Sequence, residues 1–391
     1  MMPRLFLYFC TAILLLDSCR KPMVEKTTVC TGPSVDSSAR HPKAASFNEI
    51  LNRYTIQGIP GISALIADEH GVWTGASGMA DIAGKVPFAP CTVNKLGSIT
   101  KMMFAAAVFK LEEQGLINLD EPISAHLSKE VNERVKNVSE ASLRDLLRHN
   151  TGIYDLISDA GFYLAVVNQP NKVWTASELI RFVYDKPANF PARSSVNYSN
   201  TNTLLASMVI DAIRPGGKDH AQWMRELVFE KLGMNQTYYH PHDPLPRETA
   251  RGYFDLYQDG TLTDVSNMIT GSGNGFTGVY SNVYDIYRFM HALFVERTLV
   301  SEAALQSMQQ WVGPDSTYDI GVGLLREYKN TGYPGIGHTG GDLGYAAVAH
   351  IFPTRNNRML IYCINYGTNG DSKLRKVYEA FREDLAAELL R

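Results

Sequence analysis

Strand-forming sequence in this chain is split between its two ends, and a long helical stretch separates the halves. Near the start, "ISALIAD" and "VWTGASG" (62–78) are β-rich runs joined through "EHG", the pattern of a hairpin. Strand character returns with "GVGLLREY" (321–328), "GIGHTGG" (335–341) and "GYAAVAHIFPTRNNRMLIYCINYG" (344–367), the last a second hairpin turning at "TRNNR". Between them lie helical patterns, with "LRDLLRHNTGI" and "ASELIRFVYD" as clear pieces, loops rich in Asn, Pro and Gly, and the amphipathic "VYDIYRFMHALF" (283–294). A closing helix runs through "KLRKVYEAFREDLAAELLR". Strands at both ends around a helical middle imply an α/β (α+β) architecture. An antiparallel sheet is assembled from both ends, and a helical lobe, about 120–265, is inserted in it.

One helix stands apart. "ITKMMFAAAVFKLEEQ" (99–114), ended by Gly115, is apolar on all sides in its middle and so predicts a helix running through the core. It carries Lys101 one turn after Ser98 in "GSITK", and positions i and i+3 share a face. A buried amine is costly unless something uses or pairs it. Alone the spacing says little: it recurs at Ser18–Lys21, and a capping serine followed by a solvated lysine has the same letters. Tyr198 and Asn200 form "YSN", a pattern repeated at Tyr280–Asn282 and Tyr328–Asn330. Tyr198 differs by its setting, "FPARSSVNYSNTNTLLASMVI", a polar loop entering an apolar helix. "HTGG" (338–341) is a glycine-rich strand end, where backbone N–H groups can approach a ligand closely.

Ser-x-x-Lys, Tyr-x-Asn about a hundred residues later and His-Thr-Gly near the C-terminus together resemble the penicillin-recognising serine hydrolases, in the branch of class C β-lactamases and D-alanyl-D-alanine carboxypeptidases. "LEEQGLINLDEPIS" (111–124), "LRDLLRHNTGI" (143–153) and "GFTGVYSNVYDIYRFM" (275–290) extend the resemblance over roughly 46–390. It implies a β-lactamase/transpeptidase-like fold and an acyl-enzyme on Ser98. The implied substrates are D-Ala-D-Ala ends of cell-wall peptides, then β-lactams, then small esters, with no metal or organic cofactor. An unassisted serine is a weak nucleophile. Lys101 can take its proton if burial or a second positive group depresses its pKa, and Tyr198 can do so as a phenolate stabilised by Lys101; both readings stay open. The resemblance assigns the oxyanion to the N–H groups of Ser98 and Gly341, and Asn200 to orienting Lys101 and the substrate amide. His338, Thr339 and Gly340 fall in the substrate-binding strand, the first two facing a substrate carboxylate. β-Lactamases have lysine where this chain has His338. An imidazole near its reference pKa of about 6.5 carries only partial charge at neutral pH, which weakens carboxylate capture and favours a peptidase or esterase. A sensor of cell-wall fragments, or a lipid-anchored scaffold with an idle site, would share the fold. Loss of the serine, lysine or tyrosine would mark the sensor, and all three are present; absence of Ser98 labelling by a serine-directed probe would mark the scaffold.

The N-terminus reads separately. "MMPR" is followed by "LFLYFCTAILLL", twelve residues interrupted only by Thr11, too short to span a bilayer comfortably and typical of a signal-peptide core. "LDSC" resembles the lipobox of bacterial lipoproteins with Cys19 as the lipidated residue, although Asp17 stands where a small or aliphatic residue is usual. The expected organisation is a signal peptide (1–18), a lipid-anchored polar tether (19–45) and a hydrolase domain (46–391), held in the periplasm or cell envelope by a membrane anchor at Cys19. Cys30 falls in the tether. Cys91 and Cys363 read as buried thiols, a bond between them being the alternative. A net charge of -3 with well-mixed signs offers no nucleic-acid surface. "HPHD" (240–243) has a zinc-like His-x-His spacing in a Pro-rich loop without a third ligand, so no metal is expected. His149 and His350 read as structural histidines and Asp342 as an exposed turn aspartate.

Overall fold

The computed structural model describes residues 26–32, 40–313, 317–367 and 372–391; the signal segment and Cys19 lie outside the described residues. The N-terminal hairpin forms as β1 (Gly61–Asp68) and β2 (Gly71–Asp81), flanked by β3 (Val86–Pro87). The C-terminal strands are β4 (Asp319–Ile320), β5 (Leu325–Glu327), β6 (Gly335–Asp342), β7 (Tyr345–Phe352) and β8 (Arg358–Ile364). All eight make one antiparallel sheet in the order β3-β2-β1-β8-β7-β6-β5-β4. Its seam is β1 against β8, with Ser63 opposite Cys363 and Leu65 opposite Ile361. The two ends of the chain thus build one sheet, as their strand content implies.

Every residue of β7 and β8 is buried, because helices cover both faces. On one face α1 (Ala44–Ile56) sets Phe47 and Leu51 against Ile62, Trp73 and Tyr362, and the C-terminal helix adds Phe381 and Leu385. Against the other face runs α2 (Ile99–Glu113), in a larger core shared with α3 (Leu143–Arg148), α4 (Asn200–Ile213) and α5 (Val283–Met290). The C-terminal helix is α6 (Lys373–Leu390). Twelve of the fifteen α2 residues are buried, Lys101 among them. The lysine is therefore interior, and the solvated-lysine reading fails.

Local signals place the pieces around α2. Ser142 and Asp145 cap α3 reciprocally, and the helix ends on His149 in a left-handed conformation (φ 58°), which turns that side chain inward. The polar stretch before Asn200 is extended and delivers Tyr198 to the first turn of α4. Helices end near Glu230; from there to Gly278 the chain runs in turns and short strands, since Pro241, Pro244, Pro246 and a series of glycines interrupt any helical run.

The cysteine reading is corrected in part. Cys91 is not a thiol but is bonded to Cys30, 61 residues away. The start of the chain also binds the domain through Thr27 Oγ1 to Thr249 O and Thr28 N–H to Arg247 O, both 2.9 Å. Residues 26–32 are thus attached where a free tether was expected; the contact joins segments far apart in sequence, and no local pattern records it. Cys363 is a buried thiol, its pKa pushed up by burial.

Candidate active site

Ser98 stands at the start of α2, yet its side chain makes no capping hydrogen bond. The hydroxyl turns to Lys101, whose Nζ lies 3.0 Å from Ser98 Oγ, 2.8 Å from Asn200 Oδ1 and 2.8 Å from the backbone oxygen of Phe276. Two of these partners are carbonyl oxygens, which only accept, so they take two N–H bonds. The third position on nitrogen faces Ser98: an N–H in the ammonium, a lone pair in the neutral amine. Burial lowers the Lys101 pKa to about 7, against Asp155 and Asp342, which raise it. Near neutral pH the amine therefore exists in both forms.

The Tyr198 ring lines the site, and its hydroxyl is buried beside that of Ser98 without a hydrogen bond of good geometry. Burial pushes the phenol well above its ordinary pKa and outweighs the pull of Ser98. Lys101 Nζ sits 5.0 Å from the ring centroid. Behind Tyr198 the His149 ring stacks at 4.5 Å and 25°. Its Nδ1 accepts the Ser199 N–H (3.2 Å), which leaves the proton on Nε2, and burial together with Lys101 holds it well below 6.5. His149 is a structural histidine whose job is to back the tyrosine. Asn200 Oδ1 accepts from Lys101 and its Nδ2 donates to Asp155 Oδ2 (3.1 Å), while its backbone N–H donates to Asp155 Oδ1 (3.0 Å). The contact with Lys101 is the one an orienting residue would make. Sequence reasoning missed Asp155, which looks like an ordinary turn residue there because it also caps its own turn through the Ile157 N–H.

β6 lies directly against the start of α2. A Cβ built on Gly340 would stand 1.8 Å from Leu96 O and 3.2 Å from Ser98 N. Gly97, at φ +54°, approaches Gly341 N so closely that its Cβ would fall 2.8 Å away. Only glycine permits this contact, and it sets the strand amides beside Ser98 N. His338 is buried, and its Nδ1 lies 2.6 Å from Thr339 O, so the proton sits on Nδ1. Burial, then Lys101, lowers its pKa to about 3. The expectation of a partly charged imidazole is thereby corrected, because burial and the nearby Lys101 disfavour the charged form. Thr339 Oγ1 donates to Glu327 Oε2 at 2.5 Å. Glu327 also receives Arg382 Nη2 from α6 (2.8 Å) and lies 3.0 Å from His350 Nε2. Burial raises the Glu327 pKa, but His350, Arg382 and Thr339 outweigh it and hold the carboxyl well below its usual range. Asp342 is also corrected. It is buried, takes the hydroxyls of Thr270 (2.5 Å) and Thr277 (2.8 Å), and pairs with Lys95 at 2.9 Å, because the 270–277 loop covers its turn.

These groups face a cavity of about 670 Å³, lined by Ser98, Tyr198, Asn200, His338, Thr339 and Gly341. Phe162, Tyr163, Val167, Phe254 and Leu256 make the rest of the wall largely apolar. Asp155, Glu327 and Asp342 also reach it, and no lysine or arginine is among its described lining residues. Among the described residues no His/Cys/Asp/Glu group is arranged to hold a metal, and His242 Nε2 of the "HPHD" loop lies 2.8 Å from Gly273 O.

A family model described as Beta-lactamase matches residues 47–383. The chain is 25% identical over 259 residues to the unguisins hydrolase ungD of Aspergillus violaceofuscus, covering 63% of this chain and 44% of that protein, so it spans under half the length of that relative. It is 26% identical over 284 residues to the D-alanyl-D-alanine-carboxypeptidase/endopeptidase AmpH of Escherichia coli, covering 68% of this chain and 69% of that one. Among solved structures, a D-stereospecific amidohydrolase from Streptomyces sp. matches with a TM-score of 0.75 at 26% identity, over 87% of this chain and 98% of the other.

Proposed function

The chain belongs to the beta-lactamase family, within a superfamily of serine hydrolases, and from that premise we propose that it cleaves an amide or ester by acylating Ser98, with Lys101 as the base. The observation that carries this is the Lys101 amine, held by two carbonyl oxygens so that its third position meets Ser98 Oγ. Neutral Lys101 takes the hydroxyl proton as Oγ bonds to the substrate carbonyl carbon. The carbonyl oxygen gains charge beside the N–H groups of Ser98 and Gly341. As the bond to the leaving group breaks, protonated Tyr198 gives that group its proton and is reprotonated from the Lys101 ammonium. Water then attacks the acyl carbon, Lys101 takes its proton, and that proton returns to Ser98 Oγ as the acid leaves.

Intact mass spectrometry after mixing with p-nitrophenyl acetate or penicillin should show one added acyl mass on the peptide containing Ser98; an adduct on another serine ends the proposal. Because only deprotonated Lys101 accepts, kcat/KM should rise tenfold per pH unit below about 7 and level off above it. A rise confined to pH above about 10, the ordinary phenol range, would transfer the base's role to Tyr198.

A second reading, a D-alanyl-D-alanine carboxypeptidase acting on cell-wall peptides, is favoured by the likeness to AmpH. We also propose that Cys19 carries lipid and anchors the protein in a bacterial envelope. The apolar leader and "LDSC" support this, and so does the Cys30–Cys91 bond, since such bonds persist in oxidising compartments. Labelled palmitate should enter the protein in a bacterial host, and Cys19→Ala should abolish it. Unlabelled parent protein would refute the anchor.

A further inference from the structure

We infer that the His338–Thr339 part of the cavity accepts hydrogen bonds and offers none, so that it selects a substrate bearing an N–H donor there, such as a carboxamide, over one bearing a free carboxylate. This deepens the serine acyl-hydrolase reading and rests on it.

Three observations meet at this place. Thr339 has one hydroxyl proton, and it is given to Glu327 at 2.5 Å. Glu327 cannot return one, because Arg382 Nη2 at 2.8 Å holds it as a carboxylate. Thr339 Oγ1 therefore presents only lone pairs to the cavity. The neighbouring His338 commits its Nδ1 proton to Thr339 O at 2.6 Å, which leaves Nε2 as a lone-pair acceptor. Finally, the cavity wall carries three carboxylates, Asp155, Glu327 and Asp342, and no lysine or arginine among its described residues.

A substrate carboxylate placed here would lose its water and find no donor on the side chains of His338 or Thr339. A carboxamide meets the opposite situation. It is uncharged, and its N–H groups can donate to Thr339 Oγ1 or to His338 Nε2. The residues that the family resemblance assigns to carboxylate capture are thus wired by Glu327 for the reverse polarity. Glu327 acts through Thr339 and is a positioning residue.

The test uses binding to the full chain carrying Ser98→Ala, so that it does not depend on turnover. Calorimetry compares Nα-acetyl-D-Ala-D-Ala with its C-terminal carboxamide. The carboxamide should bind at least about tenfold more tightly. In Glu327→Gln the new side chain can donate its own N–H to Thr339 Oγ1 and free the hydroxyl proton, so the preference should fall at least about threefold. If Glu327→Gln does not fold, Thr339→Val, which deletes one acceptor, should show the same loss. Equal affinity, tighter carboxylate binding, or no binding of either ligand overturns the inference. Labelling of Ser98 in the parent protein by a fluorophosphonate judges the hydrolase reading separately. A labelled serine with a carboxylate preference fails this inference alone, and an unlabelled one fails the reading beneath it.

Discussion

Lys101→Ala should form the Ser98 acyl-enzyme about 10²–10⁴-fold more slowly than the parent chain, the usual loss when an acid–base partner is removed. Neither Tyr198 nor His149 is set to replace it. Tyr198 is held protonated by burial, and the nearest imidazole in its stack, His149, points Nδ1 at the Ser199 N–H. The substitution also strips donors from Asn200 Oδ1 and Phe276 O, each a buried acceptor costing about 1–3 kcal/mol if left dry, so a lower melting temperature is expected alongside. Rapid mixing followed by mass spectrometry separates the two effects, because it reads the acylation rate of protein that is still folded. An unchanged rate would remove Lys101 from the chemistry.

Gly340→Ala should cost about 10²–10³ in kcat, comparable to deleting an oxyanion donor. The new Cβ would meet Leu96 O at 1.8 Å, a backbone atom that no rotamer can clear. β6 must then retreat from the start of α2 and carry the Gly341 amide away from that of Ser98. Since those amides act on charge that develops during attack, kcat should fall more than KM rises. Steady-state kinetics on p-nitrophenyl acetate tests this. A variant with parental kcat would mean that the oxyanion lies elsewhere.

The residues that were legible in advance are those whose neighbours lie within a turn or two of chain. Ser98 and Lys101 share a helical face, Tyr198 and Asn200 flank a helix start, and the glycines of β6 announce a close backbone approach. The sheet was legible for the same reason, since each hairpin is local and only the β1–β8 seam is not. What stayed hidden was decided by distant partners. Glu327 acquires its meaning from Arg382, 55 residues on, and from a threonine on the next strand. Asp342 looked like any turn aspartate until Lys95 and two threonines were folded onto it. His338 was misjudged on its charge because the sequence names the imidazole but not the burial and the lysine that disfavour its charged form.

With a lipid on Cys19, as proposed, the bond between Cys30 and Cys91 would limit how far the domain can lie from the bilayer. A leash running from Cys19 to the first helix at Ala44 would let the domain roam about 80–90 Å from a bilayer at about 3.3–3.6 Å per residue. With Cys30 fastened to the domain, only the eleven residues from Cys19 remain, a span of at most about 40 Å. A lipid at Cys19 would therefore confine the catalytic cavity to a thin layer beside the membrane. Reducing that one bond would leave the hydrogen bonds of Thr27 and Thr28 to hold this segment on the domain, without touching Ser98.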